Sequence, residues 1–179
     1  GERTLPKMLD SICRLSPASP HYNIIIVNNG STDNTTSIIN LFSIKLPIKL
    51  IEQPIRGKNH ALNLAIREEL GDLVVFTDDD VIADPNWLIE LSQCAEANPD
   101  HDIFGGSILP HWEKRPDEWL IKNIPIGITY AITDENLKYG DIFPGLIWGP
   151  NMMVRKRIFE QGHQFNSAIG PNSGQYIMG

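Results

Sequence analysis

The sequence predicts an α/β fold in which a mostly parallel central sheet is flanked by helices and followed by an irregular C-terminal half. Short apolar runs at 24–27, 48–51 and 73–76 alternate with helical patterns over the first hundred residues. Such alternation is typical of a parallel sheet covered by helices. From residue 103 onward the alternation is lost, and 110–145 is rich in tryptophan, proline and tyrosine. We therefore expect a single domain over 1–179, with a regular part at 1–100 and an irregular part at 101–179.

The individual elements follow from apolar spacing and from turn residues. Helices are predicted where apolar residues recur three or four positions apart, at 5–12, 38–42, 61–70, 84–97 and 156–161. Strands are predicted at the continuous apolar runs, which are 24–27, 48–51, 73–76, 103–109 and 152–154. Ser31, Thr32 or Asp33 can cap the second helix. Gly71 and Gly162 are expected to end the third and the last helix.

Composition excludes several classes of protein. Fifteen basic and 22 acidic residues give a net charge of −7, which disfavours a nucleic-acid partner because phosphate-backbone binding needs a basic surface. Two cysteines, Cys13 and Cys94, are too few for a disulfide framework, so both are expected to be buried free thiols. No apolar run approaches the roughly 20 residues that span a bilayer, and no signal-peptide pattern opens the chain. A cytoplasmic location is predicted, and peripheral membrane association stays open.

Three consecutive carboxylates, Asp78, Asp79 and Asp80, follow the apolar run at 73–76. Ligands of open α/β sheets bind outside the carboxyl ends of the strands, so this position favours a ligand site. Two like charges about 4 Å apart cost roughly 4 kcal/mol at an effective dielectric near 20, so the cluster needs a counter-ion or open water. In an extended segment Asp78 and Asp80 point the same way and can offer oxygens to Mg²⁺ or Mn²⁺. The alternative is a solvated acidic loop that caps the next helix.

Four segments in order resemble motifs of one known family. They read IIVNNGSTDNT at 25–35, GKNHALN at 57–63, GDLVVFTDDD at 71–80 with DPNWL at 84–88, and GPNMMVRK at 149–156. Together they resemble glycosyltransferase family 2, an inverting family with the Rossmann-like GT-A fold. The resemblance implies that 1–100 is a nucleotide-binding part and that 101–179 lies on the sugar and acceptor side.

The resemblance also implies roles for residues of the nucleotide-binding part. Asn28 and Asn29 stand where the family usually has an acidic residue that contacts the base or ribose, although both are equally plain turn formers. Lys58, or else Arg56, is expected to meet a phosphate. Asp78 is expected near the ribose, with Asp79 beside it. Asp80, together with Asp78, is expected to bind the divalent metal.

On the sugar side, the resemblance implies that Gly149 and Asn151 contact the donor sugar or the acceptor. Trp148 and Trp112 can stack on a sugar face, although tryptophans more often pack in a core or at a rim. Asn63 is expected to fix the local backbone rather than touch a ligand.

Two parts of the family pattern are missing from this sequence. Members begin with an apolar strand that carries a nucleotide-holding pair, whereas this chain opens at the helix that follows it. Members also follow the glycine-rich stretch at 170–179 with a Glu-Asp pair whose Asp is the general base. The catalytic base is therefore expected just after Gly179, and the sequence resembles a fragment cut at both ends.

The implied activity is metal-dependent transfer of a sugar from a nucleotide-diphosphate sugar to an acceptor hydroxyl, with inversion and with Mn²⁺ or Mg²⁺ as cofactor. The acceptor can be a sugar, a lipid-linked glycan or another hydroxyl compound. The alternative that stays open is a non-catalytic nucleotide- or carbohydrate-binding module of the same fold, because no residue within the sequence is a convincing base.

Overall fold

A computed structural model describes residues 1–169, and the glycine-rich stretch at 170–179 lies outside the described residues. The helices are α1 Leu5–Cys13, α2 Thr35–Phe42, α3 Lys58–Ala65, α4 Trp87–Ala97, α5 Glu118–Asn123, α6 Ile126–Tyr130 and α7 Lys156–Glu160. The strands are β1 Ile24–Asn28, β2 Ile48–Glu52, β3 Leu73–Phe76, β4 Ile103–Gly105 and β5 Met152–Arg155. Two short 3-10 helices precede β5, at Pro144–Leu146 and Gly149–Asn151.

The strands form two small sheets. β1 pairs with β2 in parallel, whereas β5 lies between β3 and β4 and is antiparallel to both. The predicted α/β class is confirmed, but among the described strands only one of the three pairings is parallel. Because β5 is antiparallel to β3, Met152 at its start pairs with Phe76 at the end of β3. This register brings the 3-10 helix Gly149–Asn151 to the carboxyl end of β3.

Two groups of buried side chains hold these layers together. Leu5, Met8, Leu9 and Ile12 recur at helical spacing in α1 and pack with Ile39 and Leu46. Leu91 and Ala95 of α4 pack with Phe104 of β4 and Met153 of β5. The first group covers the β1–β2 pair, and the second anchors β5 and so fixes the carboxyl end of β3.

A cavity of about 640 Å³ lies between β1 and β3. Every residue of both strands lines it. Because successive residues of a strand face opposite sides of the sheet, a cavity that touches all of them must run along the edges of the strands. The apolar strand expected ahead of residue 1 stays a prediction.

The predicted element boundaries hold in part. The N-cap of α2 is Asn34 rather than Ser31, Thr32 or Asp33, and it makes no capping hydrogen bond through its side chain. The Asp33 carboxylate instead closes the turn before the helix, where it accepts the Thr35 backbone N–H at 3.1 Å and the Thr35 hydroxyl at 2.5 Å. The Thr35 hydroxyl is also the main reason that the pKa of Asp33 lies well below its usual value. Helix α3 ends at Ala65 instead of continuing to residue 70, because Arg67 and Glu68 donate to carbonyls only three residues back.

Three other expectations need correction. Helix α4 begins at Trp87, since the Asp84 carboxylate accepts the Asn86 backbone N–H at 2.8 Å and so closes a turn before the helix. Strand β4 stops at Gly105 because the Asn151 side chain occupies the space beside Gly106. The thiols of Cys13 and Cys94 are free as expected, but Cys13 is exposed and Cys94 is half-buried. Helices α5 and α6 lie in the stretch that the sequence left unassigned.

The division into 1–100 and 101–179 stays a prediction.

Within 1–169, none of the helices has both the length and the apolar character to cross a bilayer.

Met153 provides a test of the second group of buried residues. Its side chain is 1% exposed, whereas the neighbouring Met152 points to the opposite face and is half-buried. Truncating a buried methionine removes packing and leaves a void, so Met153→Ala should lower the free energy of unfolding by about 2–5 kcal/mol. Met152→Ala is the matched control and should cost clearly less. Urea unfolding measures both, and equal losses would contradict this packing.

Candidate functional site

Three elements meet at the mouth of the cavity. The first residue of α3, Lys58, directs its Nζ to both carboxylate oxygens of Asp78 just after β3, at 2.6 and 2.9 Å. The third element is the 3-10 helix before β5, because a Cβ added at Gly149 would lie 3.9 Å from Lys58 Nζ. The structure thus brings Lys58, Asp78 and Gly149 together, as expected for one site. Both side chains of the ion pair are partly exposed, so the pair itself contributes at most about 1 kcal/mol to stability.

All five residues predicted for nucleotide binding line the same cavity. They are Asn28, Asn29, Lys58, Asp78 and Asp79. The hydroxyl of Thr77 lies between β3 and these aspartates, is buried, and has no hydrogen-bond partner within 1–169. Buried hydroxyls nearly always have a partner, so this one marks a place where the cavity can take a polar group. The roles of the five predicted residues in nucleotide binding stay predictions.

The two asparagines after β1 use their side chains within the protein. Asn28 is buried, donates to Thr36 Oγ1 at 3.0 Å and to Glu52 Oε1 at 3.2 Å, and accepts the Ser31 backbone N–H. Each of these contacts fixes the turn at the end of β1. These contacts use both the amide nitrogen and the amide oxygen of Asn28. The side chain therefore holds the turn in its shape, and its contact with a base stays a prediction.

Asn29 joins the same turn to the start of α3. Its Nδ2 donates to the carbonyls of Gln53 and Ile55 at 3.3 and 2.7 Å, and its Oδ1 accepts the Gly57 N–H at 2.8 Å. Gly57 has φ 136°, a conformation that favours glycine, and it immediately precedes Lys58. Asn29 therefore sets the position of Lys58.

The three consecutive aspartates do not face one partner. Asp78 pairs with Lys58, whereas Asp79 accepts a hydrogen bond from the Thr4 hydroxyl at 2.8 Å on the other side. Asp80 is exposed, does not line the cavity and has no hydrogen-bond partner within the described chain. Strand β3 ends at Phe76, so Asp79 and Asp80 lie in a turn rather than in the extended segment that the sequence argument assumed. Among residues 1–169 no three His, Cys, Asp or Glu side chains are grouped to hold a metal.

Asn151 and Trp148 lie next to the site but outside the cavity lining. The Asn151 side chain is buried, accepts the Trp87 indole N–H at 2.8 Å and donates to the Ser107 carbonyl at 3.0 Å. Trp148 is half-buried, and its carbonyl accepts the Asn151 backbone N–H. The polar atoms of the Asn151 side chain therefore link α4 to the chain after β4, and its contact with a sugar stays a prediction.

Trp112 contacts another aromatic ring. Its ring lies edge-on to Tyr130 with the centroids 5.0 Å apart. This packing agrees with the more common role of a tryptophan, and stacking on a sugar stays a prediction for it.

The sequence analysis missed a contact between α3 and the segment 165–169. Asn63 exchanges two hydrogen bonds with the backbone of Phe165, and Asn59 donates to the carbonyls of Asn166 and Ile169. Asn63 was expected to fix the local backbone, but the backbone that it holds is that of Phe165, about a hundred residues away in the sequence. The available signal was the spacing, since asparagines four residues apart share one face of a helix.

Comparison with known proteins identifies the family. A family model described as glycosyl transferase family 2 matches residues 1–162. The chain belongs to this family. A Haloferax volcanii glucosyl-dolichyl phosphate glucuronosyltransferase is 34% identical over 124 residues, which are 68% of this chain and 38% of that protein. A Staphylococcus epidermidis poly-beta-1,6-N-acetyl-D-glucosamine synthase is 36% identical over 91 residues, 49% of this chain and 22% of its own length.

Solved structures agree with the GT-A fold. The S. aureus TarS 1–349 structure has a TM-score of 0.71 at 16% identity and covers 97% of this chain and 50% of that one. The Pyrobaculum calidifontis mannosyltransferase PcManGT, solved with GDP-Man and Mn²⁺, has a TM-score of 0.67 at 21% identity and covers 95% and 46%. This family-2 chain spans half or less of the length of each of these proteins.

The buried amide of Asn151 gives a test of this part of the site. Asn151→Ala leaves the Trp87 indole N–H and the Ser107 carbonyl without partners, so we expect a loss of about 1–3 kcal/mol in the free energy of unfolding. Asn136→Ala is the matched control, because that asparagine lies in an exposed turn with Asp134. Thermal unfolding compares the two. Unchanged stability of Asn151→Ala would show that this side chain does not carry the contact between α4 and the chain after β4.

Proposed function

We propose that this chain is the donor-binding part of a glycosyltransferase that moves a sugar from a nucleotide-diphosphate sugar to an acceptor hydroxyl with inversion, using Mn²⁺ or Mg²⁺. One observation carries the proposal. In a family-2 chain, an ammonium, two carboxylates and two amides line one cavity at the carboxyl ends of β1 and β3. Ligands of open α/β sheets bind at this end of the strands.

The ligands of the structural neighbours support the choice of donor. The mannosyltransferase is described in complex with GDP-Man and Mn²⁺, and TarS is described in complex with UDP-GlcNAc. For this chain we infer a nucleoside diphosphate as the part of the donor that the cavity holds. Asn28 and Asn29 at the end of β1, Lys58 of α3 and Asp78 after β3 all line the cavity at the carboxyl ends of the strands, and we expect the base or ribose nearer the asparagines and Asp78 and the phosphates nearer Lys58.

Lys58 is the side chain best placed to meet a phosphate. Its ammonium already lies between Asp78 and Gly149, at the first residue of α3. Arg56 lies nearby, with its Nε 3.8 Å from where a Cβ of Gly30 would be. As the bond between the anomeric carbon and the diphosphate oxygen breaks, negative charge grows on the diphosphate, and a fixed cation there stabilises the developing charge.

The donor set fits a divalent metal. Mg²⁺ needs only one or two protein carboxylates, because substrate phosphates and water complete its shell. Asp80 is an exposed carboxylate without a partner among the described residues, and Asp78 would be the second oxygen donor. A metal bound there would supply a Lewis acid for the departing diphosphate. Lys58 contacts both oxygens of Asp78, and each oxygen keeps a second lone pair with which it could bind metal.

Three further features stay predictions. The acceptor hydroxyl must give its proton to a base, and the identity of that base stays a prediction. Gly149, Asn151 and Trp148 remain the residues that we expect nearest the sugar or acceptor. A cytoplasmic location with peripheral membrane association also remains an expectation.

The metal role can be tested by calorimetry with a panel of nucleoside diphosphates, beginning with GDP and UDP. We expect at least one of them to bind in the presence of Mn²⁺ and to lose most of its affinity in chelator. Asp80→Ala should lower the affinity at least about tenfold, roughly 1.4 kcal/mol. Asp72→Ala, an exposed carboxylate at the opposite end of β3, is the matched control. Equal affinity in chelator would rule out the metal.

The role of Lys58 has its own test. Lys58→Gln removes the charge and leaves a polar side chain one bond shorter, so diphosphate binding should weaken about tenfold and depend less on salt. Lys49→Gln is the control, because Lys49 pairs with Glu68 away from the cavity. Equal affinities of the two variants at low salt would contradict a phosphate contact of Lys58.

The non-catalytic alternative differs in one measurable respect. A binding module would hold the diphosphate with the same metal dependence but would neither hydrolyse nor transfer the sugar. Assays of donor hydrolysis and of transfer, made on a longer polypeptide that continues beyond Gly179, separate the two. Binding without either reaction would favour the module.

A further inference from the structure

Two asparagines on one face of α3 hold a distant stretch of backbone. Asn63 Nδ2 donates to the Phe165 carbonyl at 2.7 Å, and Asn63 Oδ1 accepts the Phe165 N–H at 2.9 Å. One turn earlier, Asn59 Nδ2 donates to the carbonyls of Asn166 and Ile169 at 2.8 and 3.0 Å. Four hydrogen bonds from two side chains therefore dock the segment 165–169 on α3.

Aromatic packing holds the same segment from a second side. The ring of Phe165 lies edge-on to Phe76, with the centroids 5.3 Å apart, and 6.3 Å from the ring of Phe159. Phe76 is the last residue of β3 and stands two positions before Asp78. The segment is thus fixed to α3 by polar contacts and to the end of β3 by apolar ones.

These contacts place the segment beside the donor site. Asn59 directly follows Lys58, and Lys58 pairs with Asp78. This ion pair joins α3 to the end of β3. The same two elements make the contacts with segment 165–169 described above, and Phe159 of α7 adds one more. The segment thus joins the two elements whose relative position sets the Lys58–Asp78 pair.

We propose that Asn59 and Asn63 are positioning residues: they dock segment 165–169 on α3 and thereby hold α3 in place relative to the end of β3, which sets the Lys58–Asp78 pair at the phosphate end of the donor site. The inference rests on the proposed function and deepens it. Neither asparagine lines the cavity, so both act through the segment and through α3 rather than by touching the donor.

A neutral hydrogen bond shifts an equilibrium by roughly two- to tenfold, and the Asn63 pair joins both polar groups of one backbone position. Loss of the Asn63 amide should therefore undock the segment in a measurable fraction of molecules while the aromatic contacts keep it near. The donor site would then be correctly formed in only part of the population, and the apparent affinity for ligand falls by that fraction.

The experiment compares Asn63→Ala and Asn59→Ala with the control Asn123→Ala, whose amide bonds only to the Trp119 carbonyl within the exposed helix α5. Hydrogen exchange of the Phe165 amide reports docking. Calorimetry with GDP or UDP and Mn²⁺ reports the donor site, and thermal unfolding reports the fold.

We expect Asn63→Ala to speed exchange of the Phe165 amide at least about tenfold and to weaken diphosphate binding about threefold to tenfold. Asn59→Ala should have a smaller effect of the same kind. Asn63→Asp retains an acceptor for the Phe165 N–H, so it should restore protection of that amide relative to Asn63→Ala. The control should change neither measurement.

The outcomes separate this inference from the function on which it rests. If the unsubstituted protein binds no nucleoside diphosphate, the proposed function is overturned and this inference with it. If it binds, and the alanine variants bind equally well despite faster exchange at Phe165, the segment is docked only for stability and this inference alone is wrong. Should Asn63→Ala fail to fold, Asn59→Ala decides by the same comparison.

Discussion

The position at which α3 begins is the constraint on which the site depends. The Asn29 side chain fixes it by three hydrogen bonds to the backbone of the loop between β2 and α3. That loop ends at Gly57, whose φ of 136° favours glycine. Because a helix is rigid, a start set at this point also determines where Lys58 reaches and which face carries Asn59 and Asn63. The Asn29 amide after β1 thereby orients one charged side chain, Lys58, and two polar side chains, Asn59 and Asn63.

The amide side chains and the charged side chains at this site have different partners. The side-chain amides of Asn28, Asn29 and Asn151 make their contacts within the protein. The groups left at the surface are charged: Lys58, the partly exposed Asp78, and Asp80. Buried polar groups must find hydrogen-bond partners, and an amide offers both a donor and an acceptor, so it satisfies backbone on two sides. Charged groups are costly to bury and therefore remain where a ligand can reach them.

Apolar spacing in the sequence was enough to predict α1, β1, α2, β2, β3, β5 and α7 within a few residues, because their patterns decide which face is buried. It did not predict that β5 runs antiparallel to β3, since a short apolar run carries no direction. Helices α5 and α6 are six and five residues long, too short to show a helical period, and unlike α7 they have no glycine near their end to mark a stop. At the site, it was the resemblance to the family that grouped Lys58, Asp78 and Gly149, which the structure brings together. The partners of Asn59 and Asn63 lie about a hundred residues away and leave no local signal.

Charge balance limits how this site can take the donor that we propose. Lys58 is paired with Asp78, Asp79 faces Thr4 on the other side, and Asp80 is exposed. A diphosphate adds negative charge next to these carboxylates, and two like charges about 4 Å apart cost roughly 4 kcal/mol at an effective dielectric near 20. Lys58 supplies one positive charge against them. In the proposed function, a divalent cation held by Asp78 would supply the further positive charge that lets the site accept an anionic ligand.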